Sequence, residues 1–356
     1  MILTVSGDLS VTEGNNDVFA RGDVKTLFGD VTEVFESADA NFVNLECALT
    51  ESEHRIKKFG PNLKGSPNTA AVMRNVGITH CGLSNNHTYD FGTEGLLDTL
   101  RVLEQNGIKY TGIGENAEDS RRDMIVESEE KRIAIIAVCE HEYSYALPDR
   151  IGAREYDVYD THFDIAKAKS ENDFVIVIYH GGKEHCRYPS PRLVKACRAM
   201  VKSGADAVFC QHSHCIGCYE IFDGGHILYG QGNFHFSGRA DKAGDDKWNS
   251  GLIVRLNITD RIDLEFIPIV TNGAGIELAK GVERDRILEE LELRSRKLES
   301  GEWRKEWHDF CETIREYYST PINPEKADLF SHFLDCEAHS DVLRELFPSW
   351  NLTNEK

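Results

Sequence analysis

Short apolar runs that stop on glycine, carboxylate, amide or imidazole side chains recur along this chain, and they predict strands. Ile2–Val5 leads into Gly7-Asp8, Ala40–Leu45 runs onto Asn44 and Glu46, and Ile78–Leu83 stops at Ser84-Asn85-Asn86-His87. Met124–Val126 and Ile133–Val138 bracket the charged turn Ser128–Lys131, and the second strand ends at Glu140-His141. Phe174–Tyr179 is the most apolar run and closes on His180-Gly181-Gly182, while Ala207–Phe209 stops shortly before His212 and His214. Tyr219–Phe222 and His226–Tyr229 flank Asp223-Gly224-Gly225, a strong hairpin signal. Leu252–Ile258 and Ile262–Val270 make a further antiparallel pair.

Between these runs the period changes to that of a helix. Phe28, Val31, Val34 and Phe35 repeat at helical spacing and should cover one face of a sheet. Thr69–Val76 reads as a helix closed by Gly77. Thr93–Asn106 places Leu96, Leu97, Leu100 and Leu103 on one face, and Pro191–Ser203 is a third helix. Residues 51–66, with Arg55, Lys57, Lys58 and Lys64, read as an exposed loop. Gly112-Ile113-Gly114 fits a loose dinucleotide pattern, but no good helix follows, so its glycines serve a turn. The alternation predicts an α/β domain over residues 1–275. After Gly281 the chain turns helical. Ile287, Leu288, Leu291 and Leu298 mark one amphipathic helix; Trp303, Trp307, Phe310, Ile314 and Tyr317 mark a second. Two shorter ones follow around Phe330 and Leu343. Residues 281–356 therefore form a helical appendage that packs on the main domain or makes a homo-oligomer.

Composition narrows the function. A hydrophobic content of 40% and a charged content of 28% are those of an ordinary globular protein. The net charge of −20 argues against nucleic acid and anionic membranes as partners. It leaves an anionic substrate open, because a bound dication reverses the local field. The pair Cys215 and Cys218 lacks a second pair at zinc-ribbon spacing and reads as two reduced structural thiols. The first residues enter a strand at once, with no signal-peptide pattern and no apolar span of membrane length, so the expected location is cytoplasmic.

Five strand ends carry the chemistry: Asp8, Asn44 with Glu46, Asn86 with His87, His180, and His212 with His214. In open α/β sheets ligands gather at the carboxyl ends of strands. In an extended backbone His212 and His214 project to one side. Carboxylates together with imidazoles suit Zn, Mn or Fe better than Ca or Mg. The set is large enough for two ions sharing one bridging carboxylate. Such a pair clamps a phosphoryl oxygen and lowers the pKa of a bound water.

These motifs resemble, in content and order, the CapA-type (poly-γ-glutamate capsule biosynthesis) proteins, a branch of the calcineurin-like metallophosphoesterase superfamily. The resemblance runs from residue 2 to about 270. It rests on Gly7-Asp8, Asn44-Leu45-Glu46, Ser84-Asn85-Asn86-His87 with Asp90, His180-Gly181-Gly182 with Glu184, His212-Ser213-His214, and Tyr229-Gly230-Gln231-Gly232-Asn233-Phe234. It implies a four-layer α-β-β-α sandwich with metals at the strand ends. Asp8 would hold one ion and Glu46 would bridge; Asn86, His180 and His212 would hold the second, with His214 returning to the first. His87 would protonate a leaving group, its ring oriented by Asp90 or another carboxylate. The superfamily's Asp-x-His opening has Ser10 at the His position here, which removes a ligand from the first ion, and Asn44-Leu45-Glu46 replaces its Gly-Asp-x-x-Asp.

Lys183, Arg187 and Arg192 are the cations nearest in sequence to receive an anionic substrate, with Lys57, Lys58 and Lys64 available if their loop folds over. Glu184 reads as a partner of a His ligand or a substrate contact, and Gln231 and Asn233 as supports of the metal loop. The function expected is a divalent-metal-dependent hydrolase, a phosphoesterase tied to capsule or surface-polymer synthesis. Its alternatives are a non-catalytic metal-binding assembly partner and an amide hydrolase of poly-γ-glutamate.

Overall fold

The computed structural model describes residues 1–140, 143–319 and 327–348, so the expected strand end at His141 lies outside the described residues. Strands β1 (Ile2–Leu9), β2 (Ala40–Leu45), β3 (His80–Gly82) and β4 (Lys109–Thr111) run parallel, side by side. The chain then builds a second sheet from β5 (Met124–Glu127), β6 (Arg132–Cys139), β7 (Phe174–His180), β8 (Ala207–Gln211), β9 (Tyr219–Phe222) and β10 (Gly225–Leu228), in the order β9-β10-β8-β7-β6-β5. It returns through β11 (Asn233–His235), which pairs with β1 in parallel. Next, β12 (Ser250–Ile258), β13 (Ile262–Asn272) and β14 (Gly275–Leu278) extend the first sheet antiparallel from β1. The predicted hairpins β5–β6 and β9–β10 both form, the latter around Asp223 at φ 50° and Gly224 at φ 83°.

The apolar run of β7 is buried along its whole length because the strand is covered on both faces. Its side chains divide by the two-residue period of a strand. Ile176 and Ile178 pack with Leu3, Val5 and Phe42 of the first sheet, so one core lies between the sheets. Val175, Val177 and Tyr179 pack outward with helices α6 (Asp160–Glu171) and α7 (Pro191–Lys202). A second outer core lines the first sheet, where α1 (Asn16–Arg21), α2 (Val24–Phe28), α3 (Val31–Glu36), α4 (Thr69–Asn75) and α5 (Gly92–Gln105) contribute Phe19, Phe28, Phe35, Met73 and Leu103. α7 begins where it should: Pro191 sits at its first position, and the Ser190 hydroxyl accepts from the Leu193 amide at 3.1 Å. The α5 stripe differs from expectation at Leu97, which is 51% exposed. The buried line runs instead through Leu96, Thr99 and Leu103, because only one flank of the helix meets the sheet.

After Gly281 come α8 (Gly281–Ser300), α9 (Trp303–Thr313), α10 (Arg315–Tyr318), α11 (Ala327–Asp335) and α12 (Glu337–Leu346). They do not stand apart from the body. Ile287 and Leu291 of α8 enter the core between the sheets, while Trp303, Trp307, Tyr318, Phe333 and Val342 enter the outer core beside α7. Helix α9 stops at Thr313, so the expected stripe is interrupted before Tyr317, and Tyr318 is buried in its place. Among the described residues no helix is long and apolar enough to cross a membrane.

Candidate metal centre

The parallel strands of the two sheets end toward one another, and the register sets the ligand-type side chains side by side. Asp8 lies opposite Asn44 on β2 and Asn233 on β11, and His180 lies opposite Gln211. Gly7 is needed just before Asp8: a Cβ there would meet the Gly232 carbonyl oxygen at 2.1 Å.

Asp8 is fully buried, accepts from the Asn44 amide at 2.7 Å and from the His212 backbone N–H at 2.9 Å, and faces His180 and His214 at 3.6 and 3.8 Å. Burial opposes its ionisation, but His180, His214 and Asn44 outweigh it and hold the carboxyl below its usual value. Glu46 lies 3.4 Å from His180 Nε2, and neither of its fully buried oxygens accepts a hydrogen bond. Asn86 Oδ1 is 2.9 Å from that same Nε2. His180 is pushed up to about 9: burial alone would lower it, and the Glu46 and Asp8 carboxylates more than reverse that. A raised imidazole between two carboxylates reports surplus negative charge, the electrostatic condition for a cation.

Among the described residues three groups can surround an ion: Glu46, His180 and His212; Asp8, Glu46 and His214; and Glu184, His212 and His214. Glu46 belongs to two of them. The donors are carboxylate oxygens and imidazole nitrogens, and the orphaned Glu46 oxygens need an electrophile. The residues present therefore fit divalent transition metal. Ser10 is buried and its hydroxyl donates to the Val11 carbonyl, while Glu184 stands on the His214 side.

The backbone at the two histidines is not extended. β8 ends at Gln211, and His212 and His214 both adopt the left-handed region, at φ 82° and 52°. They converge because the chain turns over the strand ends, with ring centroids 5.9 Å apart, not because they alternate along a strand. Two non-glycine residues held there mark backbone strain that the surroundings must impose. Asn233 supplies part of that support, its Oδ1 lying 2.8 Å from His214 Nδ1, and Trp248 packs on the His214 ring at 4.6 Å. Gln231 ties the neighbouring loop to the Val5 carbonyl at 3.0 Å.

His87 stands beside the cluster. Its Nδ1 donates to Asp90 Oδ2 at 2.6 Å, and its Nε2 faces Glu46 at 4.0 Å. Burial first, then the neighbouring Lys58 cation, lowers its pKa, and the Asp90 carboxylate opposes them. Of the three loop lysines available only if the loop folds over, Lys58 is the one that reaches the cluster. The loop expected to be exposed folds inward at this point, leaving the Lys58 side chain 2% exposed. Its ammonium pairs with Asp90 and donates to the Asn86 carbonyl at 2.9 Å. Lys57 remains on the surface against Asp328, and Lys64 binds Glu53 and the Ser52 carbonyl. The loop's own polarity gave no sign of burial.

The other expected cations divide. Lys183 and Glu184 line a cleft of about 320 Å³ above the cluster, together with Lys58, Asn86 and His212. Arg187 pairs instead with Glu290 of α8 at 3.2 Å. Arg192 is held in a buried network with Glu140, Tyr179 and Asp341, so its charge is already satisfied away from the cleft. Cys215 and Cys218 are both fully buried, and burial raises both thiols, which keeps them protonated.

The family model for bacterial capsule synthesis protein PGA_cap matches residues 2–237. The capsule biosynthesis protein CapA of Bacillus anthracis is 24% identical over 303 residues, spanning 82% of this chain and 72% of that one. A probable polyglutamine synthesis accessory protein of Mycobacterium tuberculosis is 26% identical over 291 residues, 76% of each chain. The PGA biosynthesis protein CapA of Bacillus subtilis is 24% identical over 65% of this chain and 62% of its own length. A solved structure of a hypothetical protein from Thermus thermophilus aligns at a TM-score of 0.45 and 13% identity, over 79% of this chain and all of that one. With two thirds of its length matched in one continuous stretch that holds every strand-end motif, the chain belongs to the bacterial capsule synthesis protein family PGA_cap.

Proposed function

We propose that this protein is a divalent-metal-dependent hydrolase, a phosphoesterase serving capsule or surface-polymer synthesis. The observation that carries the reading is Glu46: a fully buried carboxylate, faced by the imidazoles of His180 at 3.4 Å and His87 at 4.0 Å and shared by two groups of potential metal ligands. Asp8, Glu46, Asn86, His180, His212 and His214 would hold one or two ions of Mn, Fe or Zn. Such ions, when bound, neutralise phosphoryl oxygens and make water a nucleophile near neutral pH. The fold reading that goes with it is a four-layer α-β-β-α sandwich over residues 1–275, with residues 281–356 as a helical addition and a cytoplasmic location.

The chain's own residues supply the rest. With its Nδ1–H donated to Asp90, His87 presents Nε2 toward Glu46. In the imidazolium form, which the Asp90 carboxylate favours, that nitrogen would give its proton to the leaving-group oxygen as the P–O bond breaks, while the attacking water's proton goes to solvent on the opposite face. Lys58 fixes Asp90 and Asn86 together and adds positive charge beside them. Lys183 receives a phosphoryl oxygen at the cleft edge. Burial of Asp8, Glu46, His87 and His180 excludes bulk water and strengthens every one of these interactions.

A second reading is amide hydrolysis of poly-γ-glutamate, which uses the same water activation on a carbonyl carbon; the Bacillus subtilis relative is named for PGA biosynthesis. The test is turnover by the metal-supplemented protein on p-nitrophenyl phosphate and on poly-γ-glutamate. The phosphoester is expected to be hydrolysed, with kcat falling about 100-fold or more in His87→Asn. Glutamate release without phosphoester turnover would favour the second reading, and neither activity would leave a binding role in polymer assembly.

A further inference from the structure

The cleft over the cluster has two unlike walls. Its floor carries Lys58, Asn86, Lys183 and His212, with Glu184 3.8 Å from His212. Facing it are rings from the C-terminal helices: Tyr317 of α10, His332 of α11 and His339 of α12, flanked by Phe59 from the inward-folded loop. This wall is fixed in place. Phe59 stacks on His332 at 4.8 Å and 23°, and Tyr318 stacks on Phe333 at 4.7 Å, with both of the latter buried in the core. The helical part of this wall lies beyond residue 237, where the family match ends. The cleft of about 320 Å³ is at the small end of ligand sites. Among the described residues that is room for a phosphate on the floor and one ring against the wall. Ring faces bind planar and sugar rings by stacking, at little entropic cost to side chains already packed.

We propose that this cleft is a leaving-group pocket, in which the C-terminal helices and Phe59 select a compact phosphomonoester carried on a ring. The inference rests on the phosphoesterase reading and names its substrate class. It also gives the helices after residue 281 a role in recognition rather than in scaffolding alone.

The experiment is calorimetric binding of two phosphonates, which cannot be hydrolysed, to the full-length Mn-supplemented protein. Methylphosphonate probes the floor alone; phenylphosphonate adds a ring. Phenylphosphonate is expected to bind about tenfold more tightly, and the preference to shrink toward unity in Phe59→Ala and in Tyr317→Ala. These side chains are 39% and 51% exposed, so truncation spares the core. Equal affinity for both probes in the wild type, or an undiminished preference in both variants, overturns the pocket whatever the turnover. A ring preference that both variants lose, with no hydrolysis of p-nitrophenyl phosphate, retains the pocket and overturns the phosphoesterase reading instead. Binding of neither phosphonate overturns both.

Discussion

Lys58 Nζ lies 3.1 Å from His87 Nδ1, although the two residues are 29 positions apart and belong to different segments. The contact joins a loop to the end of β3 through a shared carboxylate, Asp90, which accepts from His87 and also from the Leu63 amide at 2.6 Å. Both partners of the Lys58–Asp90 pair are almost fully buried, so neither charge can be left alone without a large desolvation penalty.

Lys58→Met is therefore expected to lower the unfolding free energy by about 3 kcal/mol, since it strands the Asp90 carboxylate. Adding Asp90→Asn should recover part of that loss, giving a coupling energy of about 2 kcal/mol in a double-mutant cycle read by urea unfolding. Strictly additive losses would show that the pair contributes no mutual stabilisation.

Gly112, in the stretch with the loose nucleotide-binding pattern, has φ 79°, and a Cβ there would lie 2.7 Å from Ser84 Cβ and 2.9 Å from Ala137 Cβ. Ser84 begins the segment that carries Asn86 and His87. Gly112→Ala should lower stability by about 2 kcal/mol or more, through both the left-handed backbone and the close approach. Thermal unfolding checks this, and a midpoint within a degree or so of the wild type would contradict it.

Burial holds His235 down to about 4, with the Leu27 carbonyl acting weakly the other way. Its ordinary value is about 6.5, so between those limits the unfolded chain binds a proton that the folded chain refuses. Stability is then complete above about pH 6.5 and falls as pH drops toward 4, by about 2 kcal/mol between pH 7 and 5. His80, lowered to about 4 by burial and by Lys109, acts in the same direction. Urea unfolding at the two pH values should show a smaller drop for His235→Gln than for the wild type. An equal drop in both would exclude His235 as the cause.

Much of this was legible where a local pattern carries the physics. Both hairpins, the apolar β7 and the Ser190-Pro191 start of α7 follow from side-chain period and capping, which act within a few residues. The strand ends at Asp8, Glu46, His180 and His212 were legible for the same reason, and the structure brings all four together. Which of Lys57, Lys58 and Lys64 would turn inward was not, because the burial of Lys58 depends on Asp90, which sits beyond the end of another strand. Arg192 reads from its neighbours in sequence as a substrate cation, but Glu140 and Asp341, distant in sequence, pair with it. The cleft wall was hidden too. A helical period places Tyr317 on a stripe but does not say that α10, α11 and α12 bring Tyr317, His332 and His339 to one cleft with Lys183 and His212.

The most direct test of the account is the metal content of untagged protein purified without chelator, compared with Glu46→Gln and with His212→Ala. About two Mn, Fe or Zn ions per chain are expected in the wild type. Both variants should retain less than about half of that, because each removes a donor shared between two ligand groups. A wild type that holds no metal even after Mn or Zn is returned, or variants that hold as much as the wild type, would contradict the metal centre.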